Sequence, residues 1–436
     1  MNRTLTVAAH TLGCKVNQYD TQAMLELLEG RGYRIVPADD SADVYLVNTC
    51  TVTGTGDKKS LQLIRKIRRE HPSAVLIVCG CMAQERGEDL LSTGTDLVIG
   101  TQRRGEILNL LDQVLETGTP LCAVEPLREG QPFERLSITR QNDHTRAVLK
   151  IQEGCDNHCS YCIIPSVRGP IRSRTPDDIR EEVLSLSRAG FREVVLTGIH
   201  LCSYGRDLGR SVSLLDVIRL IQDTDGILRI RLGSLEPVVA TPEFASALRE
   251  ADKICPQFHL ALQSGSDTVL ARMKRRYNTS QYLRSVENLR REFPRAAFTT
   301  DILTGFPGET SEEFEETKQM IEKVGFARIH VFPYSPRPHT PAAELPGQLS
   351  SAEKERRARE LIALGGRVAR CWLSTWSGQE SAILPEEKVN GCWEGYTPEY
   401  IRVRLDPSAE CLPGVPVRVR LLDAGPRFMN GEIIDD

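Results

Sequence analysis

Ala147-Val148-Leu149-Lys150-Ile151-Gln152-Glu153-Gly154-Cys155-Asp156-Asn157-His158-Cys159-Ser160-Tyr161-Cys162 is the stretch on which the reading of this chain turns. An apolar strand candidate, Ala147–Ile151, runs directly into three cysteines spaced C-x3-C-x2-C. Three thiolates on one short loop can hold three irons of a cubane cluster, whereas a four-iron cluster normally takes four. No fourth cysteine lies in the loop, so the spacing leaves one iron open to a non-protein ligand. The plain alternative is zinc, or a loop with no metal. Zinc usually takes a second C-x2-C pair or a histidine pair at set spacing, and His158 alone completes neither. The cluster is the favoured reading.

Downstream of this loop the strand signal recurs. Glu193–Leu196, Leu228–Leu232, Phe258–Leu262, Phe298–Leu303 and Arg328–Phe332 read as strands, with helices between them. One helix starts at Thr310-Ser311-Glu312-Glu313, a capping-box pattern. Six βα units predict a partial (β/α)6 barrel, whose active groups belong on the loops at the C-terminal strand ends. The cysteine loop follows the first strand, where that rule places a site.

Upstream, strand and helix signals also alternate. Leu5–Ala9, Asp43–Val47, Ala74–Val78 and Leu97–Ile99 read as strands, and Asp20–Leu28 and Asp57–Glu70 as helices. This rhythm predicts a doubly wound parallel sheet. Cys14, Cys50 and Cys81 each fall just beyond the end of one of these strands, so the fold would bring three thiols to one sheet edge. Taken singly, each would pass as a small buried apolar residue. Cys79 points to the same face as Cys81 but reads as strand core. Cys122, Cys202, Cys255, Cys371, Cys392 and Cys411 have no partner spacing and read as structural.

From Gly118 to about Asp143 the chain is polar and carries three prolines, which reads as a linker. A helical connector starts near Ser350 and runs to about Trp376. Beyond it, Tyr400–Leu405 and Val417–Leu421 alternate apolar and basic residues, a half-buried strand pattern with Arg402, Arg404, Arg418 and Arg420 on one face. A small β-barrel is expected there. The expected architecture is therefore α/β: a doubly wound parallel-sheet domain at 1–120, a linker at 121–143, a partial barrel at 144–372 and a small β-barrel at 373–436.

The chain has 436 residues, 40% of them hydrophobic, 13 of them cysteine, with a formal net charge of −4. No apolar run reaches the roughly 18 residues needed to span a bilayer, and the first residues lack the apolar core of a signal peptide. A cytoplasmic protein without a membrane partner is expected, in which the odd cysteine count suits metal ligands or free thiols. Acidic balance gives no sign of a nucleic-acid partner, so local patches must. Lys58, Lys59, Arg65, Lys66, Arg68 and Arg69 crowd one helix; Arg168, Arg172 and Arg174 follow the cysteine loop; Arg272, Lys274, Arg275 and Arg276 form a third group. Any of these, and above all the tail arginines, could hold phosphates, although a solvated face is the commoner meaning of a charge run.

The C-x3-C-x2-C loop resembles that of the radical S-adenosylmethionine (SAM) enzymes. Gly13-Cys14-Lys15-Val16-Asn17, Asn48-Thr49-Cys50-Thr51-Val52-Thr53, Gly80-Cys81-Met82-Ala83-Gln84, Gln263-Ser264-Gly265-Ser266 and Asp301–Glu309 extend the likeness to the radical-SAM methylthiotransferases over nearly the whole length. Gly395-Tyr396-Thr397 and Tyr400–Val403 resemble the family's RNA-binding TRAM barrel. The resemblance implies two [4Fe-4S] clusters, one on Cys155, Cys159 and Cys162 and an auxiliary one on Cys14, Cys50 and Cys81. It implies SAM at the open iron, with Tyr161 near its adenine, and further contacts from Thr197, Gly198, Ser234, Glu236, Gln263, Thr300 and Asp301. One SAM would methylate sulfur on the auxiliary cluster; a second would be cleaved to a radical that activates C2 of an adenine. The residues around Cys14 and Cys50 resemble the branch acting on N6-threonylcarbamoyladenosine (t6A) at position 37 of the tRNA anticodon loop. An electron donor such as flavodoxin or ferredoxin and a sulfur source are implied as partners. Competing readings are methylthiolation of isopentenyladenosine-37 or of a ribosomal protein, a non-catalytic iron–sulfur RNA-binding redox sensor, and a radical-SAM enzyme whose N-terminal cysteines are structural.

Overall fold

The computed structural model describes residues 4–140, 145–209, 212–425 and 428–434; Asp143, the expected end of the linker, lies outside them. Apolar runs with no polar alternation form the first sheet, as expected for parallel strands covered on both faces. Its strands are β1 (Thr6–Thr11), β2 (Arg34–Val36), β3 (Val44–Thr49), β4 (Val75–Gly80), β5 (Leu97–Ile99) and β6 (Leu121–Cys122), in the order β2-β1-β3-β4-β5-β6. All neighbours are parallel. Separate apolar clusters, one around Leu46 and Ile77 and one around Val47 and Val78, cover the two faces. The short β6 lies in the stretch read as linker; Leu136 and Ile138 of that stretch are buried as well. Helix α1 (Lys15–Gly30) starts directly after Cys14, five positions before the expected Asp20. Helix α2 (Gly54–Glu70) starts at Gly54 because the Thr53 hydroxyl accepts the Gly56 amide.

The central region is built on β7 (Arg146–Glu153), a short antiparallel partner β8 (Arg172–Ser173), then β9 (Glu193–Gly198), β10 (Arg229–Leu232), β11 (Ser234–Leu235), β12 (Gln257–Leu260), β13 (Ala297–Thr304) and β14 (Arg328–Pro333). They form two arcs, β10-β9-β7-β8 and β11-β12-β13-β14, linked by a parallel bridge between Ile230 and Ile254. The six long parallel strands are those expected, each within a few residues, and the arcs make a partial barrel. The Thr310–Glu313 capping box is present at the start of the helix Ser311–Val324.

The helix Ser351–Ser374 leads to a closed barrel of β15 (Glu380–Val389), β16 (Cys392–Tyr396), β17 (Arg402–Leu405), β18 (Val417–Ala424) and β19 (Met429–Ile433). This barrel sits against the N-terminal ends of the central strands. Arg229 donates to the Tyr396 carbonyl at 2.9 Å and Arg231 to the Pro398 carbonyl at 2.8 Å. Tyr396 and Tyr400 stack at 4.7 Å and are capped by Arg146 and Arg231. Both tyrosines are thereby engaged in joining the barrels. Among the described residues no helix is long and apolar enough to cross a membrane.

Candidate active site: two cysteine triads

Strand order β2-β1-β3 reverses direction of winding between β1 and β3, and in open α/β sheets ligands bind at that crevice. Cys14 follows β1, Cys50 follows β3, and Cys81 opens α3 (Cys81–Arg86) after β4. Gly13 and Gly80 precede two of these cysteines with φ of +102° and +92°, in the left-handed region. A Cβ on Gly13 would stand 3.1 Å from the Cys50 sulfur; one on Gly80 would stand 2.3 Å from Asn48 Oδ1 and 2.6 Å from the Thr49 carbonyl. Gly80→Ala is therefore expected to cost about 1–3 kcal/mol of stability from backbone strain, plus displacement of Cys81. A lowered melting temperature together with loss of iron from this site alone is the expected result, read by circular dichroism and iron assay. Wild-type melting with full iron would show that the loop has room. Asn48 and Asn17 stitch the edge: Asn17 Nδ2 donates to the Thr49 carbonyl at 3.0 Å, and Asn48 Nδ2 to the Asn17 carbonyl at 3.0 Å. The three thiols are close enough to sense one another's charge. Burial pushes Cys81 up to about 11, and the Arg168 guanidinium opposes that rise. Cys79 is fully buried in the sheet's apolar cluster, as its place within β4 implied.

The second triad lies on the loop after β7. Burial raises Cys155 to about 11 and Cys162 to about 12, with mutual repulsion among Cys155, Cys159 and Cys162 contributing. Among the described residues no three donors converge tightly enough to clasp a single ion. A cubane takes one thiolate on each of several irons, so its sulfurs stand farther apart than those of mononuclear zinc. Three thiols on one loop, with a hydrogen-bond donor on one sulfur, fit that group.

An arginine serves each triad. Arg168, fully buried on the short helix Ile164–Arg168, reaches across to the first sheet, where its Nε donates to Cys81 Sγ at 3.1 Å. Its Nη1 lies 3.0 Å from Glu153 Oε1 and its Nη2 bonds Asn17. Arg275 Nη1 donates to Cys159 Sγ at 3.1 Å and its Nη2 to Glu236 Oε1 at 2.8 Å. Asn157 Nδ2 also donates to Glu236, at 3.0 Å, and His200 Nε2 lies 3.7 Å from Glu236 Oε2. Burial alone would raise the Glu236 carboxyl, but His200, Arg275 and Asn157 hold it below its ordinary value. Sequence reasoning missed Asn157, His200 and the roles of both arginines.

Of the other expected SAM contacts, Tyr161 packs beside Met273, Phe306 and Tyr334. Thr197 is buried beside Lys150 at the end of β9, and Gly198 leaves room for Gln152, whose Cβ a side chain at 198 would approach to 2.8 Å. Gln263 has φ of +66° and pairs through its backbone with Asp301 and Leu303. Asp301 lies 3.4 Å from His259. Thr300 is a correction: its hydroxyl donates to the Leu260 carbonyl at 2.6 Å and accepts the Leu262 amide at 2.9 Å, so it ties strands together. Ser234 is exposed at the start of β11 and has no side-chain partner among the described residues.

The basic patches also need correction. Arg168, Arg172 and Arg174 are at most 2% exposed and cannot meet phosphates. Arg272 is paired with Glu313 and Arg275 with Glu236. In the tail, Arg402 and Arg404 share Glu394, while Arg418 and Arg420 share Glu380. Among the described residues Lys58, Lys59 and Arg65 of α2, and Lys274 and Arg276 of the third group, are exposed and form no ion pair, which leaves the helix next to Cys50 and the turn beside Arg275 as basic surfaces.

Two family models match the chain: "Radical SAM superfamily" over residues 149–321 and "Uncharacterized protein family UPF0004" over 6–100. The threonylcarbamoyladenosine tRNA methylthiotransferase MtaB of Bacillus subtilis is 40% identical over 98% of this chain and 96% of its own length. The tRNA-2-methylthio-N(6)-dimethylallyladenosine synthase of Moorella thermoacetica is 35% identical over 98% of this chain and 97% of its own length. Among solved structures, the radical SAM methyltransferase TsrM from Kitasatospora setae shares the fold with a TM-score of 0.56 at 16% identity, over 78% of this chain and 77% of that one. With both family regions matched in order and full-length relatives of one activity type, the chain belongs to the radical-SAM methylthiotransferases.

Proposed function

We propose that this chain inserts a methylthio group at C2 of t6A at position 37 of tRNA, using two [4Fe-4S] clusters and SAM. The observation that carries the reading is the presence of two cysteine triads in one molecule, with buried Arg168 bonded to Cys81 of one and to Glu153, two residues before Cys155 of the other. Cys155, Cys159 and Cys162 would hold the cluster that binds SAM, and Cys14, Cys50 and Cys81 the auxiliary one. When bound, these groups supply one-electron cleavage of SAM and the sulfur to be transferred; an aromatic C–H offers no useful acid–base handle, which is why cofactors carry this chemistry. The protein's own residues bind and orient. Arg275 and Asn157 fix Glu236 beside Cys159, leaving a polar wall for SAM together with Thr197, Gly198, Gln263 and Asp301. Tyr161 supplies an apolar surface near that wall. Lys58, Lys59 and Arg65 would contact anticodon-loop phosphates, presenting a splayed-out base to the triads.

The division into 1–120, 121–143, 144–372 and 373–436 follows the same reading, with the tail barrel as the TRAM module. A low-potential electron donor such as flavodoxin or ferredoxin, a sulfur source and a cytoplasmic setting complete it. Nucleoside mass spectrometry tests the substrate. A strain deleted for this gene is expected to lose 2-methylthio-t6A and keep 2-methylthio-isopentenyladenosine. The opposite loss would move the chain to the isopentenyladenosine reading.

A further inference from the structure

The inside of the barrel is unusually polar on its β12–β14 side. Phe258, Leu260, Phe298 and Ile302 pack outward into the helix-covered core, as do Ile329 and Val331. Alternation along a strand then turns His259, Thr299, Asp301, Arg328 and His330 toward the lumen. Their register brings them together: His259 opposite Thr299, Thr299 opposite Arg328, Asp301 opposite His330. His259 Nδ1 lies 3.0 Å from Thr299 Oγ1, its Nε2 lies 3.4 Å from Asp301 Oδ2, and its ring is 6.2 Å from that of His330. Lys15, the first residue of α1 and the neighbour of Cys14, is exposed. Lys15 and Arg328 both act electrostatically on His330. Among the described residues neither cation forms an ion pair, whereas Asp301, the wall's carboxylate, is shared with His259.

Two unpaired cations around a histidine, beside the triad that would deliver sulfur, make a receptor for an anion rather than for a hydrocarbon. A t6A base carries a carboxylate on its N6 substituent; an isopentenyl group carries none. A site built from polar groups discriminates against a substrate that leaves them unmet. We propose that Lys15 and Arg328, with His330 between them, receive the carboxylate of the substrate's threonylcarbamoyl group and so set the choice of substrate. The inference rests on the t6A reading above.

The test uses the anaerobically reconstituted full-length holoenzyme and three anticodon stem-loop RNAs: t6A37, A37, and t6A37 with its carboxylate converted to a neutral amide. Wild type is expected to bind the t6A37 RNA about tenfold more tightly than the amide, the size of one charge-assisted hydrogen bond. Lys15→Met and Arg328→Met should each shrink that preference, and the double variant should abolish it. Affinity for A37 RNA and the iron content should stay at wild-type values. A double variant that keeps the full preference, or a wild type that has none, overturns the carboxylate site. Product analysis of the wild type separates the two claims. A preference for t6A37 without formation of 2-methylthio-t6A would refute the proposed activity and leave the carboxylate site standing.

Discussion

A Cys155→Ala/Cys159→Ala/Cys162→Ala variant is expected to lose SAM cleavage entirely and to fall from about eight irons per chain to about four, as two four-iron clusters require. The reciprocal Cys14→Ala/Cys50→Ala/Cys81→Ala variant should also keep about four irons, yet still cleave SAM while transferring no sulfur. The asymmetry follows from the layout. Arg275 and Glu236, the polar wall proposed for SAM, are bonded to Cys159 and to the loop of the second triad. Nothing in that wall depends on Cys14 or Cys50. Mössbauer spectra and detection of 5′-deoxyadenosine read the two effects separately. Cys79→Ala is the control: Cys79 is fully buried in the sheet's apolar cluster, so it should lose stability and retain both sets of iron. If wild type held only about four irons and the first variant none, the N-terminal thiols would hold no cluster, and the sulfur-insertion assignment would fall.

The strands of the first sheet could be read from the chain because they are largely apolar runs, and those of the partial barrel because short apolar or alternating stretches recur between helices; Cys14, Cys50 and Cys81 stood out because each follows a strand, and Cys155, Cys159 and Cys162 because of their spacing. Those signals are local. What the sequence concealed was pairing at a distance. Arg402, Arg404, Arg418 and Arg420 alternate as an exposed basic face would, but β16 places Glu394 opposite Arg404 and β15 places Glu380 opposite Arg420. Cross-strand register is not visible in one strand alone. Arg168, Arg172 and Arg174 read as a basic patch because charge implies exposure in isolation. Arg168 and Arg174 are buried because Glu153, Asp20 and Glu182 supply opposite charges from separate elements, and Arg172 is buried beside them, donating to the Arg168 carbonyl. Strand β6 was missed because two residues leave no period to detect.

Arg168 is where these distant pairings bear on function, and replacing it should have the second largest effect. Its guanidinium lies in a buried network with Asp20, Glu153, Lys150 and Arg104. Arg168→Met leaves those carboxylates short of one cation and Cys81 without its donor. Removing one partner of a buried ionic network costs about 3–5 kcal/mol, so this variant should fold poorly or not at all. Arg168→Lys is the informative change. It keeps the positive charge near Glu153 but lacks the fork that reaches Cys81 and Asn17 at once. Hydrogen bonds to cluster sulfurs stabilise the reduced, more negative state and so raise the reduction potential. Arg168→Lys is therefore expected to bind a full complement of iron with the N-terminal cluster at a more negative potential, while the loop cluster is unmoved. An anaerobic redox titration followed by electron paramagnetic resonance reads both potentials in one sample. A merely structural role for Arg168 would lower the melting temperature and leave the potential where it was. Equal potentials in Arg168→Lys and wild type would mean that the 3.1 Å contact with Cys81 holds the two sheets together and does nothing to the sulfur it touches.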